Sequence, residues 1–123
     1  MSIRLGIVMD PIDAINIKKD SSFAMLLEAQ SRNYEIHYIE LADIRVRAGV
    51  AKARTRRLSV QEDPSGWFSF GSEQSIELGS LDVILMRKDP PFDMEFIYAT
   101  YALERAEEAG ALIVNKPQSL RDA

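Results

Sequence analysis

The chain has 123 residues, of which 46% are hydrophobic and 28% charged, the size and balance of one globular domain. It has no cysteine and one histidine, which excludes disulfide frameworks, thiol nucleophiles, thiolate metal sites and multi-histidine metal sites. The net charge of −4 argues against a nucleic-acid partner. No apolar stretch reaches the roughly 18–20 residues of a membrane span, and the N-terminus lacks signal-peptide features. We therefore expect a cytoplasmic protein without a membrane partner.

The first third of the sequence has the pattern of a β-α-β unit. Residues 3–9 form an almost continuous apolar run, which predicts a strand buried on both faces. Apolar residues at helical spacing predict a helix over about 22–32, ended by Asn33 in a left-handed cap. Residues 34–38 then alternate as a second strand, with His37 and Glu35 on the same face. A histidine in this position is expected to be structural rather than catalytic.

The middle of the chain predicts a β-hairpin with one basic face. Basic side chains recur at even spacing around Gly49, namely Arg45, Arg47, Lys52, Arg54 and Arg56. A solvated face or a subunit contact is the favoured interpretation of the segment 45–57, and contact with RNA or an acidic partner is the alternative. Residues 61–80 contain most of the turn-forming residues, and we expect a long ordered excursion pinned to the core by Trp67, Phe68 and Phe70.

The last third repeats the β-α-β order. Residues 81–86 predict a third core strand, and a charged, proline-stiffened loop follows at 87–92. A helix is expected to about residue 109, then a fourth strand over 111–114, and residues 118–123 have the pattern of the first turn of another helix. The predicted fold class is α/β, a three-layer open, mostly parallel sheet flanked by helices, with an inserted β-hairpin.

Polar side chains follow the predicted parallel strands where each strand ends. Ligands bind at the carboxyl ends of the strands in open α/β sheets. The candidates are Asp10, Asn16 and Lys18 after the first strand, Arg87, Lys88 and Asp89 after the third, and Asn115 and Lys116 after the last. Several cations on one edge favour an anionic ligand with carboxylates, which an arginine fork binds in bidentate fashion. Two alternatives stay open: loops at strand ends are commonly polar, and Arg87 could form a salt bridge with Asp89 or Asp10.

The sequence carries no phosphate-binding motif. Neither G-x-G-x-x-G nor a Walker sequence follows the first strand, so nucleotide binding within this chain is not expected. No cluster of metal-ligating residues is visible in the sequence either.

Three runs of sequence resemble signatures of bacterial glutathione synthetase. Residues 5–12 (LGIVMDPI) and 16–22 (NIKKDSS) are similar to the opening of that family. Residues 84–93 (ILMRKDPPFD) resemble its second signature, and residues 115–122 (NKPQSLRD) its third. The runs occur in order and together span the chain.

The resemblance implies that residues 1–123 are an N-terminal pre-ATP-grasp domain, Rossmann-like, with a hairpin and loop insertion at about 43–80. The family joins γ-glutamylcysteine to glycine through an acyl phosphate. ATP and Mg²⁺ (or Mn²⁺) would bind to a C-terminal ATP-grasp domain that is absent from this chain, which would make the chain a truncated and inactive fragment. No catalytic, cofactor-binding or metal-binding residue is then expected here.

The same resemblance assigns substrate-wall positions near γ-glutamylcysteine to five residues: Asp10, Asn16, Lys18, Arg87 and Asp89. It also implies a homo-oligomer for the full-length protein. Two other classes of function remain as alternatives. One is a phospho-receiver-like signalling domain, with Asp10 after the first strand and Lys116 after the last. The other is a protein-interaction domain whose surface is the basic hairpin and the aromatic loop.

Overall fold

A seven-stranded mixed sheet organises the described residues, which are 3–18, 21–87 and 102–114 of this computed structural model. The strands are β1 (Arg4–Val8), β2 (Glu35–Ile39), β3 (Ile44–Arg47), β4 (Val50–Val60), β5 (Phe68–Glu77), β6 (Val83–Met86) and β7 (Leu112–Val114). Helix α1 spans Ser21–Ser31, and the described part of helix α2 spans residues 102–108. Short 3₁₀ turns cover Ile12–Ala14, Leu41–Asp43 and Leu78–Ser80.

Four neighbouring strands run parallel in the order β2-β1-β6-β7. Gly6 of β1 is paired with His37 on one side and Ile84 on the other, and Ile84 is paired with Ile113 of β7. The carboxyl ends of these strands therefore meet at one edge of the sheet. The four predicted core strands are confirmed within two residues at each end, and so is the α/β fold class.

The antiparallel half of the sheet is built around β4. One edge of this strand pairs with β3 and then with β2, and its other edge pairs with β5. The predicted hairpin is β3–β4, closed by Ala48 and Gly49 with φ of 53° and 78°. Positive φ at both positions defines a type I′ turn. Ala48 therefore lies in the turn and in neither of the two strands.

The excursion expected over residues 61–80 contains the ten-residue strand β5. Most of its side chains are exposed, and Gly71 interrupts the run. Only Phe68, Phe70 and Ile76 are partly buried, and the residues between Phe70 and Ile76 are all exposed, so the middle of the strand shows no apolar alternation. Pairing of the β5 backbone along β4 forms the strand, so sequence periodicity could not reveal it.

The two helices cover opposite faces of the sheet. Side chains that alternate along each strand divide between two apolar clusters. The α1 cluster includes Phe23, Leu26, Leu5, Ile7, Ile36, Tyr38 and Leu85. The α2 cluster includes Leu103, Ala106, Val8, Ile39, Ile84 and Met86. Both clusters pack against the parallel strands, and this packing holds the carboxyl ends of the strands in position.

Neither helix, over the residues that the structure describes, has the length and apolar character needed to cross a membrane.

Candidate functional site at the carboxyl edge of the sheet

Asp10 and Arg87 follow the two central parallel strands at the carboxyl edge of the sheet, Asp10 two residues after β1 and Arg87 directly after β6. The backbone N–H of Arg87 donates to the carbonyl of Val8 at 2.8 Å, which continues the parallel pairing of β1 and β6 by one residue. Both side chains are partly buried. The structure thus places these two predicted site residues, which have opposite charges, on the same edge of the sheet.

Ser22 holds the guanidinium of Arg87 from the adjacent helix. Arg87 Nε donates to Ser22 Oγ at 3.2 Å, and Ser22 is only 6% exposed in the first turn of α1. A bond at Nε fixes the plane of the guanidinium fork. Sequence reasoning recognised this serine only as part of a helix start. The signal that could have found it is a small hydroxyl residue in the turn that follows the strand-end loop.

Asn16 and Lys18 lie in the loop between β1 and α1, and both are exposed. Asn16 Oδ1 accepts the backbone N–H of Lys18 at 3.1 Å, an Asx turn that shapes the loop. The amide oxygen of Asn16 therefore has a structural partner. The Lys18 ammonium extends from the same turn into solvent.

The loop of residues 10–18, hereafter the ligand loop, is bonded to the sheet at Ile12, which is 1% exposed. Its N–H donates to Tyr38 Oη at 3.1 Å, and its carbonyl accepts from Trp67 Nε1 at 2.9 Å. The Tyr38 hydroxyl in turn donates to Glu40 at 2.6 Å. Burial raises the pKa of the Tyr38 phenol above its ordinary value, and the bond to Glu40 adds to the rise. The phenol therefore stays protonated and can keep both contacts.

Asp89, the fifth predicted substrate residue, lies outside the described residues, as do Lys88, Asn115 and Lys116. Their assignment stays a prediction. Within 3–18, 21–87 and 102–114, no three histidine, aspartate or glutamate side chains come together in a way that could hold a metal ion.

His37 belongs to a buried network away from the strand ends. The ring has no exposed surface, with Nδ1 3.0 Å from Thr55 Oγ1 and Nε2 2.5 Å from Glu35 Oε2. Burial lowers the pKa of His37, against the raising effect of Glu35. A neutral imidazole enclosed in this way holds β2 to β4, which agrees with the structural role expected from sequence.

The basic face of the β3–β4 hairpin is partly matched by neighbouring groups. Arg54 pairs with Glu73 at 3.5 Å, and Arg56 pairs with Glu40 at 3.8 Å. The Arg56 guanidinium also lies 4.4 Å from the centroid of the Phe70 ring. Arg54 and Arg56 therefore have partners within the domain, which supports the interpretation of a solvated face.

The sheet topology and the charged residues at its carboxyl edge indicate the class of domain. An open α/β sheet with charged side chains at its carboxyl edge belongs to the class of α/β domains in which ligands, where they bind, bind at the strand ends. The family model described as the N-terminal domain of prokaryotic glutathione synthetase matches residues 3–121. The chain belongs to that family.

Curated relatives agree with the family match. The chain is 72% identical over 120 residues to the glutathione synthetase of Salmonella typhimurium, and 70% identical over 120 residues to that of Yersinia pestis. It is 69% identical over 122 residues to the glutathione synthetase of Vibrio vulnificus. These alignments cover 98–99% of this chain and 38% of each relative. The chain therefore spans little more than a third of the length of the relatives it matches.

Proposed function

We propose that this chain is the substrate-side N-terminal domain of an ATP-dependent ligase that joins γ-glutamylcysteine to glycine. The observation that carries the proposal is Arg87, bonded to Ser22 at the same carboxyl edge as Asp10, in a chain that belongs to the family over residues 3–121. A phospho-receiver domain finds no support in that family membership, and the ion pairs of Arg54 and Arg56 within the domain do not favour an interaction domain.

The charged side chains at the carboxyl edge of the sheet suit a dipeptide with two carboxylates and an ammonium group. An anchored guanidinium binds a carboxylate through two parallel N–H donors. The carboxylate of Asp10 can accept from the substrate ammonium, and Lys18 can reach a second carboxylate from the ligand loop. ATP would supply the phosphoryl group that activates the dipeptide carboxylate. We assign ATP and magnesium, or manganese, to the rest of the full-length protein, as the family resemblance implies.

The remaining parts of the proposal concern the full-length protein. It would work in the cytoplasm as a homo-oligomer, with small-molecule substrates and no nucleic-acid or membrane partner. The domain assignment of residues 1–123, with the insertion at about 43–80, belongs to the same proposal, as does the wall position of Asp89.

The test is a comparison of two arginine variants in the full-length protein. Arg87→Gln removes the fork, and Arg32→Gln removes an exposed arginine that pairs with Glu28 at 2.8 Å near the end of α1. We expect Arg87→Gln to raise the KM for γ-glutamylcysteine roughly 10- to 100-fold, because a charged hydrogen bond contributes about 1.5–3 kcal/mol. The KM for ATP should change less than about twofold, and Arg32→Gln should resemble wild type. A full-length protein that releases no ADP with γ-glutamylcysteine and glycine would contradict the proposal.

A further inference from the structure

We propose that Tyr38 and Trp67 are positioning residues that hold the ligand loop for dipeptide binding, and that placing Trp67 there is the role of the inserted strands β3–β5. This inference rests on the function proposed above. It adds two residues, neither of which carries a predicted contact with substrate.

The first observation is that two bonds converge on one buried residue of the loop. Tyr38 Oη accepts the N–H of Ile12 at 3.1 Å, and Trp67 Nε1 donates to the carbonyl of the same residue at 2.9 Å. Both backbone polar groups of Ile12 are therefore bound by side chains from elsewhere in the fold. Ile12 lies two residues after Asp10, so its position fixes the direction in which the chain leaves the strand.

The second observation is that the two side chains form one packed unit. The rings of Tyr38 and Phe70 are 5.0 Å apart, those of Phe70 and Phe68 are 5.3 Å apart, and those of Phe68 and Trp67 are 5.9 Å apart. Such spacings are those of favourable aromatic pairs. Four rings in series therefore join the two bonds, and Phe68 and Phe70 belong to the inserted strand β5.

The third observation is that the insertion is also bonded to helix α1, through Val60 at the end of β4. The Gln30 side chain donates to the carbonyl of Val60 at 2.7 Å and accepts the Val60 N–H at 2.8 Å. Gln30 lies in the last part of α1, and Val60 ends β4. The insertion is therefore hydrogen-bonded to the ligand loop at Ile12 and to the following helix, α1, at Gln30. Ser22, which accepts from Arg87, lies in the sequence between these two attachment points, and Asp10 lies two residues before the first of them.

Aromatic packing of Tyr38 and Trp67 could stabilise the domain without positioning the ligand loop. The test therefore removes the polar atoms of the two side chains and keeps an aromatic ring at each position. Tyr38→Phe deletes the hydroxyl, Trp67→Phe deletes the indole N–H, and the double variant deletes both bonds to Ile12. Arg54→Gln is the control, because it removes an exposed ion pair from the same insertion. Binding of γ-glutamylcysteine and of ATP to the full-length protein is measured by titration calorimetry, with the thermal midpoint recorded for each variant.

We expect each single variant to bind the dipeptide about 2- to 10-fold more weakly, as the loss of one hydrogen bond predicts, and the double variant to bind more weakly still. ATP affinity should stay within about twofold of wild type, and the control should match wild type for both ligands. Equal weakening of both ligands would overturn the positioning role, and so would dipeptide binding by the double variant within twofold of wild type. A wild-type protein that does not bind the dipeptide would overturn the proposed function itself. Should the double variant fail to fold, the two single variants decide by the same criteria.

Discussion

Glu35 and His37 lie two residues apart on the same face of β2, and Nε2 of the buried imidazole is 2.5 Å from Oε2 of the carboxylate. The tautomer that satisfies both neighbours carries its proton on Nε2, donates to Glu35 and accepts from Thr55. Arg4 Nε also donates to Glu35 Oε2, at 3.1 Å. The bond to His37 is the largest of the effects that lower the pKa of Glu35, so a carboxylate and a neutral imidazole share the centre of the network.

This network makes the stability of the domain depend on pH. Because burial depresses the pKa of His37 in the folded state, the unfolded chain binds a proton first as pH falls below about 6.5. The free energy of unfolding should therefore decrease as pH falls from about 7.5 to 5.5, and the lowered pKa of Glu35 extends the decrease to more acidic pH. Urea unfolding at several pH values measures the slope.

The matched variant for the pH prediction is His37→Gln, since His37 is the only histidine in the chain. The amide can donate toward Glu35 but does not titrate. The variant should be less stable than wild type at neutral pH and should lose most of the slope between about pH 5.5 and 7.5. An unchanged slope in His37→Gln would show that other groups set the pH dependence.

A second prediction concerns the turn between β3 and β4. Ala48 has φ of 53°, a left-handed conformation that costs an L-residue about 1 kcal/mol or more. Asparagine is favoured at this position of a type I′ turn. Ala48→Asn should therefore raise the free energy of unfolding by about 0.5–1 kcal/mol in urea titrations. Gly49→Ala, at φ 78°, is the opposite control and should lower it. If Ala48→Asn is destabilising, the turn does not have this geometry.

A third prediction tests the contact between the turn before β6 and the end of α2. A Cβ on Gly79 would lie 2.5 Å from the Cβ of Ala109, too close for two carbon atoms. Gly79→Ala should cost about 1–3 kcal/mol, because the helix end or the turn must move. Adding Ala109→Gly opens the space, so the double variant should regain most of that loss in urea unfolding. Additive losses in the double variant would exclude this contact.

The parallel half of the fold was predictable from the sequence because its signals are local. Residues 3–9 and 81–86 are almost continuously apolar, as is typical of strands covered on both faces. Strand β5 was not predictable in the same way, because its middle residues, such as Glu73 and Ser75, are exposed. Its stability comes from backbone pairing with β4. The left-handed φ of Ala48 was not predictable either, because a turn residue that is neither glycine nor asparagine carries no sequence signal for positive φ.

The candidate site was predictable in position and incomplete in composition. Strand ends locate Asp10 and Arg87 at one edge, because parallel strands finish on the same side of a sheet. The supporting residues Ser22, Tyr38 and Trp67 reach this edge from other segments, and Trp67 is 55 residues from its partner Ile12. The sequence predicted the aromatic cluster as an attachment to the core, but it gave no indication that the indole N–H bonds to the ligand loop.

The last prediction separates the role of Ser22 from that of Arg87. Ser22→Ala removes the oxygen that accepts from Arg87 Nε at 3.2 Å, so the fork loses its orientation but keeps its charge. In the full-length protein we expect Ser22→Ala to raise the KM for γ-glutamylcysteine about 3- to 10-fold, less than Arg87→Gln does, with ATP unaffected. Ser22→Thr keeps the hydroxyl and should recover most of the loss. Because the serine acts through the arginine, Ser22→Ala should add little to Arg87→Gln in a double-mutant cycle. A full additive loss would mean that Ser22 contributes to binding independently of Arg87.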